Sequence, residues 1–469
     1  MVIKKDKKHT RPEPPADQTS PSPWPTFCRD DAMYHFPEQI LHLNFGPDRR
    51  VTFVEEEQQP QHSPWGWVRD RGVPVLVGGQ VNLRRLPSPS FSSSSPDGTP
   101  AAAAASGRLS LEIAASSRDL AVDVTADAEA QTVRVGVPRT APAAGRQPPC
   151  IEIRATLWVP AAAELASLAV SAAHLDVLLL EDLALRVAGG ASIATVPGDV
   201  VAAAAGPRAY GDGDSNGNGN ATRGGFVAAP RSYAFAARAA DVRTVAGRVS
   251  GPWALRDALS VRTTSGDVGV SVAPEAGGGG ATLTVATVSG AVRVAAPVRG
   301  EAPLPPRDYA VDVGSTSGDV RVALPFGSRA ALRSASGDVA AELLPVLDAG
   351  SAAARARLDT AAASGATDVR VLEPAWYGGA ARALARLDAA HRSVSGDVAL
   401  RYPRAWEGAL AAQTRTGALR VRGRRVEIVR ERGGWGGSRV EARKGGAGAG
   451  STLEVEAVSG DVDVLIGRE

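Results

Sequence analysis

The sequence is poor in aromatic residues, which fill 5% of its 469 positions, and in cysteine, of which it has two, Cys28 and Cys150. So few aromatics leave the core to Val, Leu, Ile and Ala. Two cysteines exclude a disulfide framework and a multi-cysteine zinc site. No run of 18 uncharged apolar residues occurs, so no membrane-spanning helix is expected. The most apolar stretch, Leu165 to Val187, is broken by His174, Asp176, Glu181 and Asp182. The basic start, Met1 to His9, has no apolar stretch after it and does not read as a secretory signal. By default that expects a cytosolic chain, or a surface one if the start is incomplete. After Lys8 only Lys444 remains, and Arg carries the positive charge, which reads as compositional bias.

Catalytic signatures are also missing. There is no G-x-S-x-G, no G-x-x-x-x-G-K, no H-E-x-x-H and no C-x-x-C, and the six histidines lie far apart: His9, His35, His42, His62, His174 and His391. Lys+Arg (52) nearly balances Asp+Glu (50), which argues against a nucleic-acid partner, since that needs a net basic face. No cofactor and no metal is expected.

Alternating β-branched residues dominate what is present. Residues 1–47 open Lys- and Pro-rich and read as a disordered segment. Residues 48–160 read as a β-rich region with a Pro, Ser and Ala linker over 87–107. Its alternation includes Leu109, Leu111, Ile113 and then Ile151, Ile153, Ala155, Leu157, Val159, the spacing of half-buried strands. Trp158 lies in that last run and is expected in the core. The other tryptophans (Trp24, Trp65, Trp67, Trp253, Trp376, Trp406 and Trp435) are scattered.

Residues 161–469 carry an internal repeat. Ser-Gly-Asp-Val occurs at 265–268, 317–320, 336–339, 395–398 and 459–462, with degenerate copies at Gly198-Asp199, Gly247, Gly290, Gly365 and Gly417. Alternating apolar residues precede each copy and resume with its Val, as in Val320, Val322, Leu324. Gly accepts the positive φ of a sharp corner, and Ser and Asp bond nearby N–H groups to close it. Each unit is strand, corner, strand, and stacked units make a parallel β-solenoid. A Gly/Asn-rich loop interrupts it at about 206–228.

Gly198, Asp199, Gly266, Asp267, Gly290, Gly318, Asp319, Gly337, Asp338, Gly396, Asp397, Gly460 and Asp461 are therefore read as turn-formers. Ala291, Ala366 and Ala418 replace the Asp within the array, which favours structure over a calcium or glycan ladder. Asp212-Gly213-Asp214-Ser215-Asn216-Gly217-Asn218 matches the first half of a calcium loop, but Arg223 stands where the bidentate Glu is needed. From Arg415 to Lys444 there are ten positive residues against three negative. Alternation there sets Arg420, Arg422, Arg424 and Arg425 up as an outward face, read first as a charged cover that blunts edge pairing and alternatively as a face for an anionic partner: a polymer, a glycan or a protein surface.

The repeated Ser-Gly-Asp-Val with flanking valines resembles the putative-adhesin family of domains of unknown function. The stretch from Cys150 to Val200 resembles its fungal branch. The resemblance implies an all-β, single-stranded β-helix, expected right-handed, and a non-enzymatic adhesin-like binding or scaffolding surface. It implies no functional residues. A carbohydrate-active β-helix enzyme and an intracellular self-assembling scaffold are the alternatives.

Overall fold

The computed structural model describes residue 28 and residues 33–58, 72–87, 106–142, 148–204, 230, 232–299, 304–348, 355–377, 384, 386–434, 436–446 and 450–467. The linker residues 88–105, the insertion 205–229 with the calcium-like run Asp212 to Asn218, and Trp24, Trp65, Trp67 and Trp435 lie outside the described residues.

The described chain is all β. It winds as a two-sheet parallel solenoid in which each coil lays one strand in an entry sheet, turns at the Gly motif, and lays the next in an exit sheet. Ala258–Arg262 is an entry strand, residues 265–267 are its corner, and Val268–Pro274 is the exit strand. Period-2 alternation sends Leu259, Val261, Val268, Val270 and Val272 inward, where all are at most 3% exposed. Each fully buried side chain of this size contributes about 1.5–3 kcal/mol.

Coils stack in strict register on the residue after the corner. Val249, Val268, Val292, Val320, Val339, Thr367 and Val398 pair in succession across the exit sheet. The last coil then breaks sequence order. Exit strand Val462–Ile466 lies between Val398–Tyr402 and Leu419–Gly423. Its entry strand Ser451–Ser459 likewise lies between Leu387–Ser395 and Gly408–Thr416. The final coil is thus slotted inside the one before it. Beyond Gly408–Thr416 the entry sheet ends in an antiparallel hairpin, Gly437–Lys444 and Glu427–Gly434.

The region before residue 160 extends the same two sheets. Gly46–Glu57 pairs in parallel with Ala163–Ala172, and Leu76–Arg85 sits between Cys150–Val159 and Asp176–Leu180. Antiparallel Ser106–Ala115 and Gln39–Asn44 complete that end of the exit sheet. One apolar cluster runs from Leu43 to Ile466. Among the described residues the exit sheet is open, with Gln39–Asn44 at one end and Leu419–Gly423 at the other.

Two expectations change, and one feature is added. Strands begin at Tyr34–His35 and Gln39–Asn44, inside the segment read as disordered. There Leu43 and Phe45 bury against the first coils, and this outweighs the Pro- and Lys-rich start. Trp158 is not in the core. The parity that buries Leu157 and Val159 turns it outward, where it lies between Arg84 (4.9 Å) and Arg108 (5.3 Å). The two cysteines, too few for a framework, form one disulfide, Cys28–Cys150, with Cα atoms 6.0 Å apart.

Candidate functional site

The repeat residues meet at one corner of the solenoid, and their bonds run from coil to coil instead of closing each turn on itself. Asp199 Oδ1 accepts the N–H of Arg248 at 2.7 Å, and Asp267 Oδ1 that of Ala291 at 2.8 Å. Asp319 takes the N–H of Asp338 at 3.2 Å, and Asp338 that of Ala366 at 2.9 Å. Asp397 takes the N–H of Asp461, and Asp461 that of Ala418. Each carboxylate therefore staples its coil to the same position on the next. The motif Ser does likewise: Ser265 donates to the Val245 carbonyl and Ser317 to that of Val288, both at 3.3 Å.

Behind this row runs a second that the sequence reading missed. Thr244, Thr263, Thr287, Ser315 and Ser334, each three residues before a motif Gly, are buried and donate to the Gly carbonyl of the neighbouring coil. Thr244 and Thr263 also accept the N–H of Gly247 and Gly266 in their own corners. The signal was a hydroxyl at a fixed offset inside an apolar alternation.

Glycine is required at the corner for two reasons. Gly365, Gly396, Gly417 and Gly460 have φ between +125° and +137°, the left-handed region. Gly266, Gly290, Gly318 and Gly337 do not, but a Cβ at any of them would overlap the carbonyl of the glycine one coil back. At Gly198 the obstructing carbonyl belongs to Leu175. The positive-φ expectation therefore fails for the earlier corners, where close stacking of backbones excludes a side chain.

The four arginines read as one face are not one face. Arg420 and Arg422 point outward from the edge strand Leu419–Gly423, whereas Arg424 and Arg425 lie in the turn after it, Arg425 with φ +62°. Arg422 is held by both oxygens of Asp463 at 3.1 and 2.9 Å. It lines an open groove of about 700 Å³ on the outer face of the exit sheet, together with Arg370, Arg401, Arg404, Glu373 and Asp463. Arg370, Arg401 and Arg422 each fall five residues after a motif Gly, so register stacks them in one column, with Leu465 between the last two. Neighbouring steps are about 4.8 Å apart. Arg401 is 3.7 Å from Asp368. The guanidinium groups of Arg370 and Arg404 have no carboxylate partner among the described residues, although the Arg404 backbone N–H donates to Glu373 Oε1 at 2.8 Å. Counting from each motif Gly would have found the column; scanning for local Arg density did not.

A buried polar triad lies beneath this groove. His391 is fully buried, its Nδ1 2.7 Å from Thr360 Oγ1 and its Nε2 2.7 Å from Tyr402 Oη. Burial pushes its pKa down to about 3, so the ring is neutral and its role is packing and bonding. At the other end of the exit sheet, burial lifts the carboxyl of Glu152 to about 7, partly opposed by Arg154. Among the described residues no group of three or more His, Cys, Asp or Glu could hold a metal, and no helix is long and apolar enough to cross a membrane.

No family model matches the chain, and no curated protein matches it. A crystal structure of a putative cell adhesion protein from Clostridium sporogenes aligns over 92% of this chain and 99% of its own, at 6% identity and a TM-score of 0.14. At that score the likeness carries no argument. No comparison supports the narrower likeness to the fungal branch.

Proposed function

We propose that this chain is an adhesin-like, non-enzymatic solenoid whose groove on the exit sheet holds an acidic polysaccharide. The observation that carries this is the stacked column Arg370, Arg401, Arg422 with Arg404 beside it. Cations in one column, separated by one and then two coil steps, match a polymer that repeats its anions, and many weak contacts add without a deep pocket. The near-zero net charge keeps such attraction local to the groove. The Cys28–Cys150 disulfide supports an oxidising compartment over the cytosol as the place of action, because such bonds persist there.

Binding of fluorescein-labelled polygalacturonate, followed by anisotropy, tests the reading. The triple variant Arg370→Ala, Arg401→Ala, Arg404→Ala should bind about tenfold or more weakly with an unchanged melting temperature. Equal binding by the variant, or none by the parent at low salt, would remove the groove from consideration.

A further inference from the structure

A second groove lies on the opposite sheet, and its chemistry differs. It measures about 840 Å³ and forms where the hairpin Glu427–Gly434 and Gly437–Lys444 stands beside the last coils. Its floor is small and aliphatic: Ala335, Ala361, Ala363, Val394 and Val458. Val394 and Val458 are 55% and 45% exposed, large for apolar side chains in an ordered sheet. They continue a row of exposed residues two before each motif Gly, with Val196, Val245 and Val288 further along.

The walls are cationic. Arg333, Arg392, Arg415, Arg432 and Arg439 line the groove against a single carboxylate, Glu456. That carboxylate is already engaged, with Arg392 at 3.5 Å and the Gln413 amide at 3.2 Å. Arg432 and Arg439 stand directly opposite each other across the antiparallel hairpin. Like charges in that position oppose pairing, and an anion between them would reverse the sign of the interaction. Arg439 is 3.1 Å from Glu441, whereas Arg415 and Arg432 have no carboxylate partner among the described residues.

We infer that this groove binds an extended acidic polypeptide segment, with carboxylates against Arg415, Arg432 and Arg439 and aliphatic side chains on the Ala/Val floor. Charge complementarity selects the acid. The floor selects peptide over sugar, because its Ala and Val side chains seat the aliphatic side chains that a peptide carries and a polysaccharide lacks. From the coil of Thr316 to that of Arg415 there are five stacking steps, about 24 Å, which holds about seven extended residues. The inference is independent of the polysaccharide reading, since the two grooves share no residue.

The test uses the full chain and three fluorescein-labelled ten-residue peptides, alternating Glu-Val, Gln-Val and Lys-Val, in anisotropy titrations at about 0.15 M salt. The Glu-Val peptide should bind about tenfold or more tightly than Gln-Val, and Lys-Val not at all. The double variant Arg415→Glu, Arg432→Glu should abolish that preference, and Ala363→Trp, which fills the floor at an exposed position without changing charge, should weaken Glu-Val binding. The exit-sheet triple variant should bind the peptide like the parent. Equal binding of Glu-Val and Gln-Val would overturn the assignment. So would loss of peptide binding in the exit-sheet variant alone. Polygalacturonate binding that depends on Arg415 and Arg432 while the peptides fail would make the groove a second glycan site and refute the peptide.

Discussion

At the scale of residues, the repeated Asp is a hydrogen-bond acceptor for the next coil. What the corner needs is an oxygen at Oδ1. Asp319→Asn keeps it and relieves repulsion from Asp338 one coil on, and loses only the exposed pair of Oδ2 with Arg321 at 3.0 Å, so it should cost little. Asp319→Ala should cost about 1–2 kcal/mol, because the Asp338 N–H loses its partner. Chemical denaturation of both variants checks the difference; equal losses for Asn and Ala would mean that the negative charge itself matters. Gly266→Ala should cost more, about 1–3 kcal/mol or above, since the methyl group overlaps the Gly247 carbonyl and the backbone must shift. His391 gives a pH signature. Its folded pKa is depressed to about 3, so its contribution is present above the unfolded value near 6.5 and is lost as pH falls below it. The slope is roughly 1.4 kcal/mol per pH unit between about 6.5 and 3. His391→Gln, measured by thermal unfolding at pH 7 and pH 5, should flatten that loss. A parental slope that persists in the variant would place the titration elsewhere.

At the scale of elements, the slotted final coil is the feature with the largest consequence. Ser451–Ser459 and Val462–Ile466 each pair on both sides, so Leu387–Ser395 and Gly408–Thr416 have no direct ladder between them. A chain ending at residue 446 should keep amide protection in the coils before residue 348 and lose it over Gly408–Thr416 and the hairpin. Full protection of Gly408–Thr416 in that variant would mean that the two coils can close on each other. Strand periodicity and the corners were legible because each rests on local chemistry: β-branched alternation, and Gly with a short polar neighbour. The order of the last two coils was not, since every corner has the same stacking surface and nothing local says which neighbour it takes. The arginine column was readable in principle, as a fixed offset from each motif Gly, but local charge density drew attention to Arg424 and Arg425, which sit in a turn. The hydroxyl row beneath the corner was hidden because Thr and Ser fit an alternating strand as well as Val does.

At the scale of the whole molecule, one core serves both sheets from Leu43 to Ile466, and the disulfide closes the chain at its start. With the two cysteines 122 positions apart, reduction should cost about 4–5 kcal/mol through the freed unfolded chain. What builds this rod is distinct from what binds on it: the Gly/Asp corners stack the coils, and the arginines on the sheet faces meet the partner. The most direct measurement is a polygalacturonate binding isotherm on three proteins at one temperature where all are folded: the parent, the double corner variant Asp267→Ala, Asp319→Ala, and the triple groove variant at Arg370, Arg401 and Arg404. The account predicts parental affinity with a lowered melting temperature for the corner variant, and weakened binding with an unchanged melting temperature for the groove variant. The reverse pattern, with binding lost at the corner and kept at the groove, would contradict it.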